Sequence, residues 1–165
     1  MKSWVYVKSE YRTKKGSGDQ LEIILEQWNR KGFGLWAVFN RENSIFMGEC
    51  GLRELRLKSD EIELSYGLIP SFWGSGYASE ASMAIIEYGF SNLGLGKIHG
   101  ISNVNNKASL HVLKKLGFII GQAMNDEDDK VVRCILSQDQ WIETRGGKPR
   151  EYRFVNASQH PPMSG

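Results

Sequence analysis

The stretch from residue 68 to 93 constrains the fold more than any other part of the chain. An apolar, strand-like run ends in Leu68-Ile69-Pro70, a glycine-rich turn follows in Trp73-Gly74-Ser75-Gly76-Tyr77-Ala78, and a long helix is predicted over 79–93. In that helix Ala81, Ile85 and Tyr88, with Ile86, Phe90 and Leu93, form a wide apolar stripe that must face a core. The first N–H groups of such a helix lack intrahelical partners and converge on the turn, where the helix dipole adds about half a positive charge. A point like this attracts phosphate, and the glycines let the backbone approach an anion with no Cβ in the way. Taken alone, the glycine pair equally suits a tight strand-to-helix turn that holds nothing.

Around this junction the periodicities give an α+β order. Trp4-Val5-Tyr6-Val7 alternates like a short strand, and Lys14-Lys15-Gly16-Ser17-Gly18 reads as a flexible loop. Asp19 is expected to cap a helix that buries Leu21, Ile24, Leu25 and Trp28 and stops at Gly32. Strand-like runs at 35–39, 44–52 and 62–69, separated by polar turns, predict an antiparallel meander. Beyond the central helix come a short strand at 97–101 and a helix at 107–116 with Ala108, Val112, Leu113 and Leu116 inward, capped by Asn105 or Asn106 and ended by Gly117. A hairpin at 118–121 and 130–136 closes around the acidic turn 126–129. From Thr144 the chain is less regular, with one strand-like island at Tyr152-Arg153-Phe154-Val155. Strands first, then helix, strand, helix and hairpin is an α+β layout in one domain, and no internal repeat is present.

Composition narrows the function. With 165 residues, 41% hydrophobic and 24% charged, the chain can build one core. A net charge of +2, from 21 basic and 19 acidic residues, is too small to hold nucleic acid or an anionic membrane by bulk electrostatics, so an anion site must be local. Cys50 and Cys134 lie in apolar runs and are expected to be buried free thiols. No apolar run approaches the ~20 residues of a membrane span, and Met1-Lys2-Ser3-Trp4 opens no signal-peptide pattern, so a cytoplasmic setting is expected. His99, His111 and His160 show no metal-ligand spacing, and 126–129 lacks the spacing and glycine of a calcium loop, so no metal is expected.

The wider pattern resembles the GNAT superfamily of N-acetyltransferases, specifically its RimJ/RimL-like branch. Glu63-Leu64-Ser65-Tyr66-Gly67-Leu68-Ile69-Pro70 followed by Trp73-Gly74-Ser75-Gly76-Tyr77-Ala78-Ser79-Glu80-Ala81 looks like that family's fourth strand and acyl-CoA signature. Leu93-Gly94-Leu95-Gly96-Lys97-Ile98, Asn106-Lys107-Ala108-Ser109 and Leu113-Lys114-Lys115-Leu116-Gly117-Phe118 fall where it places the helix end, fifth strand and next helix. The similarity covers roughly residues 19–142, leaving a divergent segment at 1–18 and an extension at 143–165.

The resemblance implies a mixed, mostly antiparallel sheet whose fourth and fifth strands splay apart to admit the pantetheine arm of acetyl-CoA. It assigns the pyrophosphate to the amides from Gly74 to Ala78, next to Trp73, with Ser75 and Ser79 as hydroxyl donors. The pantetheine would pair with free backbone groups near Tyr66, Leu68 and Ile69. Asn106 resembles an asparagine that contacts the coenzyme, and Lys107 and Lys114 are candidates for its ribose phosphate, although each also fits a solvated helix face.

The implied chemistry is direct attack by a primary amine, from a protein N-terminus or a small molecule. An N–H near Leu68 would serve the developing oxyanion. Glu63 and Glu49 are the candidate bases. Strand alternation puts Glu63 on the face opposite Tyr66 and Leu68 unless a bulge intervenes. The tyrosine that many relatives use as the acid is replaced by Leu113, which leaves Ser109 and Tyr66 as hydroxyl candidates.

The same resemblance implies that the family's first strand is absent, because only eighteen residues precede the matching segment. Trp4 to Val7, or Tyr152 to Val155 exchanged in a homodimer, would then fill the open edge. An idle acyl-CoA-binding or protein-interaction module on the same fold is the alternative to an enzyme.

Overall fold

A computed structural model describes residues 5–8, 18–55, 60–126 and 129–145. Among the described residues seven strands form one sheet: β1 (Val5–Lys8), β2 (Leu35–Asn40), β3 (Phe46–Glu54), β4 (Ile62–Leu68), β5 (Lys97–Asn103), β6 (Ile119–Asp126) and β7 (Asp129–Ser137). Their order is β1-β2-β3-β4-β5-β7-β6. Among the described residues four α-helices accompany them: α1 (Gly18–Lys31), α2 (Tyr77–Ser91), α3 (Lys107–Lys115) and α4 (Gln138–Thr144). The predicted α+β meander, central helix, second helix and closing hairpin are all present.

The edge beside β2 is occupied. Val5–Lys8 pairs antiparallel with it, Val5 opposite Asn40 and Lys8 opposite Ala37, so the strand expected to be missing has a counterpart from this chain's own N-terminal region. The alternative filler, residues 152–155, lies outside the described residues.

The core sits between the sheet and α2. Cys50 pairs with Tyr66 and Leu52 with Leu64 across β3 and β4, which places these four side chains on one face. That face meets α2, where the buried Ser82 hydroxyl lies 3.7 Å from Cys50 Sγ and Ile85 and Ile86 are fully buried. Trp36 links the two nearby helices, edge-on to Trp28 of α1 and to Tyr88 of α2. Both cysteines are free and buried, and burial pushes the Cys50 thiol up to about 12.

Some local expectations fail for identifiable reasons. Helix α1 begins at Gly18, so Asp19 lies in its first turn and is not its cap. Leu25, expected inward, is exposed, and its place in the buried stripe belongs to Gln27. The Gln27 amide donates 3.0 Å bonds to the carbonyls of Phe33 and Leu52, which turns the helix toward that anchor. Strand β3 starts at Phe46 because Ser44 takes a left-handed turn conformation at φ 57°. The hairpin strands are longer than predicted.

Helix α4 was not anticipated, although its signal is in the sequence. Ser137 and Gln140 form a capping box, each side chain satisfying the other's backbone N–H. It carries the chain to Thr144, past the boundary drawn at residue 142, and buries Trp141 against Phe90.

Candidate active site

Strands β4 and β5 run parallel but pair only at Glu63 and His99. Beyond that pair they separate, as the resemblance implied. Ile69 donates its N–H to Met47 of β3 at 2.8 Å, and peptide groups alternate sides along a strand, so the N–H and C=O of Leu68 and Tyr66 point into the gap.

At the mouth of the gap a short 3-10 turn, Pro70–Phe72, leads to Gly74 at φ 77° and Gly76 at φ 84°. Gly76 is the N-cap of α2, and no side chain caps the helix there. A Cβ built on Gly74 or Gly76 would meet nothing within 4 Å. The left-handed backbone therefore explains these glycines locally, and the open cradle of uncapped amides from Gly74 to Ala78 fits a phosphate group. Ser75 is exposed on this turn, whereas Ser79 is buried beneath it, so Ser75 is the hydroxyl left on the open side. Tyr77 and Ala78 are half-buried.

Two of the backbone groups expected to be free for a pantetheine arm are engaged. The Ile69 N–H is held by Met47, and the Leu68 carbonyl accepts a 2.7 Å bond from the indole N–H of Trp73. Trp73 itself is exposed. The Leu68 N–H still faces the side where no strand pairs with it.

Deeper in the gap lies a cavity of about 430 Å³. On its α3 side the Tyr66 hydroxyl lies 3.0 Å from Ser109 Oγ and 3.2 Å from the Ser109 carbonyl. The two hydroxyl candidates thus form one hydrogen-bonded pair. Burial raises the Tyr66 phenol above its ordinary value, and the Ser109 hydrogen bond opposes the shift. Asn106, which also lines the cavity, caps α3 by accepting the Ser109 N–H at 3.0 Å. That bond uses its side-chain oxygen and leaves its NH₂ as a donor. Lys107 and Lys114 are exposed at opposite ends of α3, roughly 10 Å apart along the axis at 1.5 Å per residue.

Glu63 also lines this cavity. The register of β3 and β4 is regular and puts it on the face opposite Tyr66, as alternation predicts. No bulge is needed, because the splay opens the sheet and both faces of β4 border the same space. Burial pushes the Glu63 carboxyl above the ordinary carboxylate range, and the Arg53 guanidinium, bonded to it through Nε, pulls it back down. Glu49 is half-buried on β3 and is not brought into the cavity. Arg53 escaped the sequence reading, although it faces Glu63 directly in the β3–β4 register, the opposite-charge pairing that antiparallel neighbours favour.

His99, at the vertex of the splay, is 2% exposed, and neither ring nitrogen has a hydrogen-bond partner among the described residues. Burial holds its pKa below the ordinary value, while Glu61, 3.7 Å from Nε2, works against that shift and Arg133 reinforces it. On unfolding, His99 regains its ordinary affinity for protons. The native state is therefore expected to lose stability as pH falls from about 6.5 through the lower folded value. Urea midpoints between pH 7.5 and 5 check this, with the decline shallower in His99→Leu.

The site is thus a sheet parted between parallel strands, with an open glycine turn at its mouth and a polar cavity within. Residues 3–119 match the family model for the Acetyltransferase (GNAT) domain. An uncharacterized N-acetyltransferase, YoaA, of Bacillus subtilis is 36% identical over 83 residues, covering 50% of this chain and 47% of that protein. The spermidine N(1)-acetyltransferase of Escherichia coli K12 is 30% identical over 79 residues, 44% of this chain and 42% of its own length. A GNAT-family acetyltransferase structure from Bordetella pertussis, described as putative, superimposes with a TM-score of 0.67 at 17% identity, covering 75% of this chain and 77% of that one. The chain belongs to the GNAT acetyltransferase family. It spans about half the length of the curated relatives it matches.

Proposed function

We propose that this chain is an acetyl-CoA-dependent N-acetyltransferase of the RimJ/RimL-like branch, acting on a primary amine by direct attack in a ternary complex. The observation that carries the reading is the continuity of the splay. An open glycine cradle, the inward N–H of Leu68, the Tyr66–Ser109 hydroxyl pair and the Glu63 carboxylate all border one gap between β4 and β5. Bound acetyl-CoA supplies an activated acetyl group that leaves sulfur for the amine nitrogen, so that one amine proton ends on the thiol and one in solvent.

The chain's own residues divide this work by position. The amides of Gly74 to Ala78 hold the pyrophosphate, with Ser75 beside them. The Leu68 N–H faces the developing oxyanion. Glu63, its proton affinity raised by burial, accepts a proton from the acceptor ammonium and passes it toward the exposed Arg53 side. The Tyr66 hydroxyl, kept protonated by its raised pKa, donates to the departing sulfur, and Ser109 holds it in place. Asn106 and Lys107 offer further donors at the start of α3.

Tyr66→Phe is expected to lower kcat by roughly 100-fold, the range for a lost general acid, while coenzyme A affinity changes little. Thiol release from acetyl-CoA is the test of the function. It should appear with at least one amine in a panel of peptide N-termini, polyamines including spermidine, aminoglycosides and amino acids. Coenzyme binding with no thiol release for any of them would instead favour an idle acyl-CoA-binding module.

A further inference from the structure

We infer that the acceptor is a small zwitterionic amine, one that carries a carboxylate close to its amino group as an α-amino acid does. This rests on the acetyltransferase reading and concerns the acceptor end of the same cavity. Among the described lining residues only Arg53 and Glu63 are charged, one of each sign. The two face each other across β3 and β4 and are joined through Arg53 Nε and Glu63 Oε1.

That single bond leaves half of each group unused. Arg53 Nη1 and Nη2 and Glu63 Oε2 make no hydrogen bond among the described residues. The Arg53 side chain is 55% exposed and that of Glu63 only 6%, so the guanidinium stands at the solvent side and the carboxylate inside. An entering molecule therefore meets a planar fork of N–H donors next to a carboxylate oxygen. The fork fits a carboxylate through two parallel hydrogen bonds, and the inner oxygen fits an ammonium. Adjacent positive and negative groups on one small molecule complete an alternating ring of four charges, and the ammonium then points inward toward Tyr66 and Ser109.

A polycation fits this arrangement poorly. Among the described lining residues it would find one carboxylate, already paired, and it would hold its remaining charges against Arg53. Charge complementarity of this kind discriminates among partners more sharply than it adds affinity. The site thus favours a carboxylate-bearing amine over an amide, an ester or a polyamine of similar size.

The test uses the whole chain with acetyl-CoA and follows thiol release with the twenty common amino acids, their carboxamides and spermidine. At least one amino acid should show kcat/KM roughly 10- to 100-fold above its carboxamide, the range for one hydrogen-bonded charge pair, and above spermidine. Arg53→Met should bring the acid and its carboxamide to similar values, mainly through KM, with coenzyme A affinity by calorimetry unchanged. Arg53→Lys should keep the preference for the acid at a higher KM, because the charge remains and the fork is lost. Should Arg53→Met fail to fold, the wild-type ratios decide. Equal or better use of the carboxamide or spermidine overturns the inference, as does coenzyme binding with no amino acid accepted. Absence of coenzyme binding is a different outcome and overturns the acetyltransferase reading beneath it.

Discussion

Glu63→Gln is expected to lower kcat by at least about 100-fold, the lower end for removal of a positioned general base, without loss of stability. The two effects separate because of how the carboxyl is held. Burial raises its folded pKa above the ordinary value, with Arg53 only partly compensating. For such a group the native state binds protons more tightly than the unfolded chain. Its contribution to stability is fullest below the unfolded pKa and declines as pH rises through the folded one. Glutamine removes that decline, and Arg53, more than half exposed, is left partly hydrated. In the parent chain the acidic limb of the kcat profile should lie above the usual glutamate range, and in Glu63→Gln that limb should vanish. Steady-state rates from pH 4.5 to 8.5, with urea midpoints at the same pH values, check both parts.

Gly48→Ala is expected to destabilise the fold by roughly 3 to 5 kcal/mol, a large share of the 5–15 kcal/mol that a domain of this size commands. Gly48 sits at φ 145°, and a Cβ there would stand 2.1 Å from the Gly67 carbonyl oxygen and 2.8 Å from the Leu68 Cα. These contacts are all with the backbone of β4, so no side-chain rotation relieves them. Strand β4 would have to move away from β3, carrying with it the Leu68 N–H and the Tyr66 hydroxyl. Gly74→Ala is the control. It shares a left-handed φ of 77° but has nothing within 4 Å of the new Cβ, so only the backbone term of about 1 kcal/mol applies. Thermal melts of both variants beside the parent chain measure the contrast.

The difference between these glycines shows what the sequence could and could not disclose. The turn at 74–76 was legible because two glycines, a preceding proline and a following apolar stripe are all local signals. Gly48 looks like any glycine in a strand until β4 is laid against it, since the neighbour it accommodates is some twenty residues away in sequence. Arg53 and Glu63 illustrate the same limit, for each reads as an ordinary strand charge and their pairing exists only in the register. Strand alternation correctly puts Glu63 opposite Tyr66, and only the parted strands of the folded sheet show that residues on both faces of β4 line one cavity. Leu25 was misplaced because helical periodicity alone does not weigh Gln27, whose two backbone bonds orient α1. In contrast α4 was within reach, since Ser137 and Gln140 stand at capping-box spacing.

If main-chain donors at the head of α2 receive the coenzyme's phosphates, their amide chemical shifts, followed by ¹⁵N NMR during titration with coenzyme A, report it most directly. The largest changes are predicted for Gly74, Ser75, Gly76, Tyr77 and Ala78, with smaller ones at Tyr66 and Leu68 along the gap. Saturable changes confined to other parts of the sheet, or none at millimolar coenzyme A with the spectrum of a folded chain, would contradict it.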